Sequence, residues 1–84
     1  MNSEEATVLV KEVLTGIVPD ADFSAIAPDT DFRQALELDS LDFLSFVERL
    51  SEQSGCRLDE DDYERLTTLA GSSELLVQRA AAGG

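Results

Sequence analysis

At 84 residues the chain has room for one small core and none for a large enzyme cleft. Apolar residues at 43 % support a globular domain, while a formal charge of -12 repels nucleic-acid phosphates and anionic lipid and either favours a protein partner with a basic patch or serves solubility alone. Histidine is absent, which removes the commonest general base, the usual partner of a serine nucleophile and the commonest zinc ligand.

The N-terminus, Met1-Asn2-Ser3-Glu4-Glu5, is acidic and has neither the basic n-region nor the apolar stretch of a signal peptide. No apolar run is long enough to cross a bilayer, so the expectation is a cytoplasmic chain with no membrane partner. A first helix is predicted from Asn2 or Ser3 to about Ile17. Asn2 and Glu5 stand at capping-box spacing, and Ala6, Leu9, Val10, Val13, Leu14 and Ile17 share one apolar face. Gly16 weakens its last turn, and Pro19 blocks continuation past Val18.

A long connection follows, from Pro19 to Asp39. Pro28 and several aspartates oppose regular helix, yet Phe23, Ile26, Phe32, Leu36 and Leu38 are too apolar for a solvated tether. The stretch is expected to fold over the core, with a turn of helix around Phe32 to Leu36. A second main helix is predicted from about Ser40 to Ser54, stopped by Gly55 as a left-handed cap. Phe43, Phe46, Val47 and Leu50 form its core stripe; Leu41 lies opposite, with Ser45, Glu48 and Glu52.

Cys56, the sole cysteine, has no partner for an intramolecular disulfide and reads as an idle thiol. Asp59 caps a short predicted helix through about Arg65, with Tyr63 and Leu66 turned inward. The run Asp59-Glu60-Asp61-Asp62 lacks the alternating ligands, glycine and distal glutamate of a calcium loop, and reads as first-turn acids rather than a metal site. Thr67 or Thr68 then caps a last helix to about Ala80, with Leu69, Ser73, Leu76 and Ala80 on one face. Gly71-Ser72-Ser73 make it the weakest helix former. Residues from Ala80 to Gly84 read as a frayed tail. The predicted fold is therefore all-α and monomeric: a small four-helix bundle of three main helices and one short one, with a long loop between the first and second.

The stretch Leu36-Glu37-Leu38-Asp39-Ser40-Leu41-Asp42 places a hydroxyl where loop hands over to helix. A serine or aspartate there is ordinarily an N-cap, and either Asp39 or Ser40 could serve, which leaves one redundant. As a nucleophile Ser40 has no base and no glycine elbow. As a modification site it is better placed, because a helix N-terminus tolerates a phosphoryl group, while the flanking carboxylates suit a basic partner.

Asp39-Ser40-Leu41 followed by Asp42 resembles the attachment motif of acyl carrier proteins. The Phe43-to-Leu50 stripe and the Asp59-to-Leu69 stretch, including Leu66-Thr67-Thr68, extend the similarity over most of the chain. The resemblance implies a single carrier domain over residues 1–84, with about 81–84 as flexible tail, that is not itself an enzyme. It implies that Ser40 bears a 4′-phosphopantetheine arm, transferred from coenzyme A by a magnesium-dependent phosphopantetheinyl transferase. The arm's thiol would hold acyl intermediates as thioesters for fatty-acid, polyketide or related enzymes. Ligase, ketosynthase and acyltransferase partners would meet Leu41 and Leu44 as apolar contacts and Glu37, Asp39, Asp42 and Glu48 as charges. The interior, with small residues at Ser54 and Gly55, is expected to shelter a short or medium acyl chain. Departures are Glu37, where the family often has glycine, Ser54-Gly55 in place of a bulky residue, and Arg49 on the acidic face. An aminoacyl or peptidyl carrier and an unmodified acidic adaptor are the alternatives.

Overall fold

The structure, a computed structural model, describes residues 1–83, with side chains through Ala81. Four α-helices follow in order: α1 (Ser3–Ile17), α2 (Phe32–Ala35), α3 (Ser40–Ser54) and α4 (Leu69–Gly83). Three 3₁₀ turns lie between them, at Phe23–Ala25, Glu60–Asp62 and Arg65–Thr67, and the described residues contain no strand.

The first helix begins as its sequence requires. Asn2 Oδ1 accepts the Glu5 N–H at 2.8 Å and Glu5 Oε1 accepts the Asn2 N–H at 3.1 Å, satisfying two donors the helix would leave orphaned. Ala6, Val10, Val13 and Leu14 are buried, with Leu9 and Ile17 half-buried at the margin. This face packs against both α3 and α4, so α1 is the element the core is built around. The helix ends at Ile17, ahead of Pro19.

In α3 the buried residues are Phe43, Phe46, Val47 and Leu50, the expected stripe. Gly55 ends it with φ of 71° and donates to the Ser51 carbonyl at 3.0 Å. A Cβ there would meet nothing within 4 Å, so glycine serves the left-handed turn and not a need for space. The long connection folds onto this core through Phe32, fully buried and edge-to-face with Phe46 at 5.3 Å. Burying such a ring contributes roughly 1.5–3 kcal/mol, and the buried Ile26 and Leu38 of the same segment add to what offsets the cost of ordering it.

The stretch from Asp59 onward differs from the single short helix expected. It forms two 3₁₀ turns, and the short fourth α-helix of the bundle is instead α2. Tyr63, Leu66 and Leu69 recur every third residue and all turn inward, Leu66 from the second 3₁₀ turn and Leu69 from the start of α4. Asp62 also faces inward, at 6 % exposure. Thr68, not Thr67, caps α4, its Oγ1 accepting the Gly71 N–H at 2.9 Å. The helix continues through Gly83, beyond the expected Ala80, and Gly84 of the expected tail lies outside the described residues.

Gly71 and Ser73 have reasons that their weak helix propensity concealed. A Cβ on Gly71 would collide with the Arg65 carbonyl, so the preceding turn can approach α4 only over a glycine. Buried Ser73 shares a 2.8 Å hydroxyl–hydroxyl hydrogen bond with Thr7, joining α4 to α1.

Candidate functional site

Asp39 has extended backbone and does the capping: its Oδ1 accepts the Asp42 N–H at 2.8 Å, and its carbonyl accepts the Phe43 N–H at 2.9 Å. Of the two candidate caps, the aspartate is the one in use. Ser40 is therefore the first helical residue, exposed, with its hydroxyl bonded to nothing among the described residues. The N–H groups of Ser40 and Leu41 likewise have no acceptor there. A free hydroxyl thus stands beside two free donors at the positive end of a helix, an arrangement that receives an anion well.

The approach to Ser40 is a compact turn. Beyond α2, the Glu37 N–H donates to the Gln34 carbonyl at 3.2 Å and the Leu38 N–H to the Arg33 carbonyl at 2.9 Å. Those two bonds close a Schellman motif, whose left-handed position is Glu37 with φ of 54°. Glycine normally occupies that position, and here a glutamate does. Leu38 is buried directly after it, pinning the loop to the core one residue ahead of the cap.

Around Ser40 the surface is acidic with an apolar centre. Glu37, Asp39 and Glu48 are exposed and Asp42 is half-buried. Leu41 is 75 % exposed and Leu44 41 % exposed, the largest apolar surfaces on α3. Leu41, Leu44 and Glu48 follow at spacings of three and four and so share one helix face. Leu44, Val47, Glu48 and Tyr63 line an open groove of about 350 Å³ on the flank of α3. All seven residues singled out from the sequence (Glu37, Asp39, Ser40, Leu41, Asp42, Leu44 and Glu48) lie on α3 or the turn before it.

Sequence patterning did not single out Arg33. Its guanidinium carbon lies 4.5 Å over the ring of Phe43, one helical turn after Ser40. Behind it the rings continue inward, Phe43 edge-to-face with Tyr63 at 5.3 Å and tilted against Phe46 at 6.2 Å. An arginine seven residues before the serine in so acidic a chain was the available signal. Arg49, the other base near α3's acidic face, packs across α1: a Cβ on Gly16 would lie 3.2 Å from its Nη1.

No side chain among the described residues is hydrogen-bonded to the Ser40 hydroxyl. No helix among the described residues is long and apolar enough to cross a membrane.

Residues 8–76 match the family described as "Phosphopantetheine attachment site". The chain is 35 % identical over 82 residues to "Polyketide-8 synthase acyl carrier protein 2" of Streptomyces avermitilis, the match covering 94 % of each. It is 28 % identical over 82 residues to "Acyl carrier protein" of Rubrobacter xylanophilus, covering 98 % of this chain and 100 % of the relative.

Proposed function

The chain belongs to the phosphopantetheine-attachment family of acyl carrier proteins, and we propose that Ser40 is the residue that bears the group. One observation carries this assignment: Asp39 caps α3, so Ser40 is spared that task and keeps its hydroxyl exposed and unbonded. The residues around it suit the group. A phosphodiester on Ser40 Oγ would sit at the N-terminus of a 15-residue helix, beside the free N–H groups of Ser40 and Leu41. When bound, the arm supplies a terminal thiol that holds an acyl group as a thioester.

The chain itself works as a carrier and docking body, with no catalysis of its own. A phosphopantetheinyl transferase loads Ser40 from coenzyme A, and ligase, acyltransferase and ketosynthase partners meet the face of α3 that follows. Glu37, Asp39, Asp42 and Glu48 steer their basic patches, and Leu41 and Leu44 form a small apolar contact that keeps each encounter brief. The resemblance to a polyketide carrier over nearly the whole chain favours polyketide or fatty-acid intermediates as cargo over aminoacyl groups.

The test is acyl loading. After conversion with coenzyme A, the chain is expected to take an acyl group from a malonyl or acetyl donor enzyme through a bond that neutral hydroxylamine cleaves. Ser40→Ala is expected to take none. A converted chain that accepts no acyl group from several such enzymes would instead support an adaptor acting by protein contacts.

A further inference from the structure

The chain has six bases, and five of them are engaged away from Ser40. Lys11 lies 5.8 Å from the Phe23 ring, and Arg49 packs over Gly16. Arg57 pairs with Asp59 at 3.2 Å, Arg65 donates to Gln78 at 3.0 Å, and Arg79 pairs with Asp62 at 2.7 Å. The sixth, Arg33, is tied by its own backbone to the turn leading into the serine. Among the described residues it has no carboxylate within 4.0 Å, although Glu37, Asp39 and Asp42 are all close in sequence.

What holds Arg33 is the Phe43 ring. A guanidinium held over an aromatic ring by cation–π attraction can keep N–H donors in its own plane free for other partners. Those in-plane donors are the ones that grip a phosphate in a fork. Phe43 is three residues after Ser40 on the same helix, so the two Cβ atoms lie roughly 5–6 Å apart. The guanidinium thus rests on the ring of a residue one helical turn beyond the attachment position, with no carboxylate paired to it among the described residues.

We infer that Arg33 is a positioning residue for the arm, resting on the assignment of Ser40 above: its guanidinium, presented by Phe43, pairs with the phosphodiester on Ser40 Oγ and fixes the direction in which the arm leaves α3. The charge pattern calls for such a partner. Three carboxylates surround the serine, and each opposes an added anion. The two free N–H groups offset part of that repulsion, and Arg33 supplies the full positive charge. No bond is made or broken in this contact; Arg33 exchanges hydrogen bonds to water for hydrogen bonds to phosphate oxygens.

Arginine Nε–Hε resonances of the native chain, recorded before and after conversion with coenzyme A and a transferase, test this directly. The ³¹P resonance of the converted native, Arg33→Gln and Arg33→Lys chains accompanies them. The expected result is that Hε of Arg33 moves on conversion while those of Arg49, Arg57, Arg65 and Arg79 stay in place. The ³¹P resonance is expected to shift in Arg33→Gln and to return only part of the way in Arg33→Lys, which restores the charge but not the fork. An unmoved Arg33 Hε on a chain whose mass has risen by one phosphopantetheine, with the same ³¹P shift in native chain and Arg33→Gln, overturns the role of Arg33 alone. A mass that does not rise overturns it together with the assignment of Ser40. The comparison of native chain before and after conversion does not depend on whether a variant folds.

Discussion

Arg79 grips Asp62 with both arms of its guanidinium, Nη2 to Oδ1 at 2.7 Å and Nη1 to Oδ2 at 3.0 Å. The same Nη1 donates to the Arg57 carbonyl at 2.8 Å, and Asp62 Oδ2 also accepts the Asp59 N–H at 2.9 Å. One ion pair therefore clamps the whole connector between α3 and α4 onto α4. The hydrogen bond from Arg79, helped by that from the Asp59 backbone, holds the Asp62 carboxyl below the usual carboxylate range against the cost of its burial. A carboxyl lowered by folding stabilises the fold above its unfolded pKa, and that contribution is lost as pH falls through the folded value. Asp62→Asn is thus expected to lower the melting temperature at neutral pH. Its deficit against the native chain should begin to shrink as pH drops below about 3.9, where the unfolded chain's carboxyl takes up a proton, and should vanish only below the lowered value of the folded carboxyl. Thermal melts of both chains across that range check it.

Glu37 holds a left-handed conformation that costs a residue with a Cβ roughly 1–2 kcal/mol. Glu37→Gly is expected to stabilise the chain by about 0.5–1 kcal/mol, since part of that gain is offset by the greater backbone freedom of glycine when unfolded. The measurement is the urea midpoint, read with an unchanged denaturant slope. The same substitution removes one charge from the docking face, so its effect on partner transfer is separable from its effect on stability.

Two neighbours on α4 are expected to respond in opposite directions. The Ser72 hydroxyl is fully buried with no hydrogen-bond partner among the described residues, so Ser72→Ala should stabilise by about 1 kcal/mol by removing an unsatisfied group. Gly71→Ala forces a methyl against the Arg65 carbonyl and should cost about 1–3 kcal/mol. Denaturant unfolding of the two variants side by side checks the sign of each.

On the proposed docking face, Leu41 is 75 % exposed, so Leu41→Ala should change stability by no more than about 0.5 kcal/mol. It is expected to slow acyl transfer to a partner enzyme several-fold. Glu48→Lys, also exposed, should slow transfer most at low salt and progressively less as salt screens the encounter. Transfer kinetics at two ionic strengths, on chains with native circular dichroism, distinguish an apolar contribution from a steering one.

The helices were legible because each carries its own local signals. Asn2 and Glu5 mark one start, Gly55 marks one stop, and the Phe43-Phe46-Val47-Leu50 stripe states which side of α3 is buried. Ser40 was legible for the same reason, as a hydroxyl at a helix start. What stayed hidden depended on partners distant in the chain. Asp62 looks like any first-turn acid until Arg79, 17 residues on, is placed against it. Gly71 looks like a weakness until the Arg65 carbonyl is seen above it. The division between Asp39 and Ser40 needed the hydrogen bond itself, because both residue types cap equally well. Arg33 drew no notice because stacking on a ring leaves no spacing pattern in the sequence.

Intact mass decides whether Ser40 bears the arm, measured on the native chain and on Ser40→Ala after incubation with a broad-specificity phosphopantetheinyl transferase, magnesium and coenzyme A. One phosphopantetheine added to the native chain and none to the variant is the expected result. Equal addition to both, or none to a folded native chain with several transferases, would contradict the assignment of Ser40.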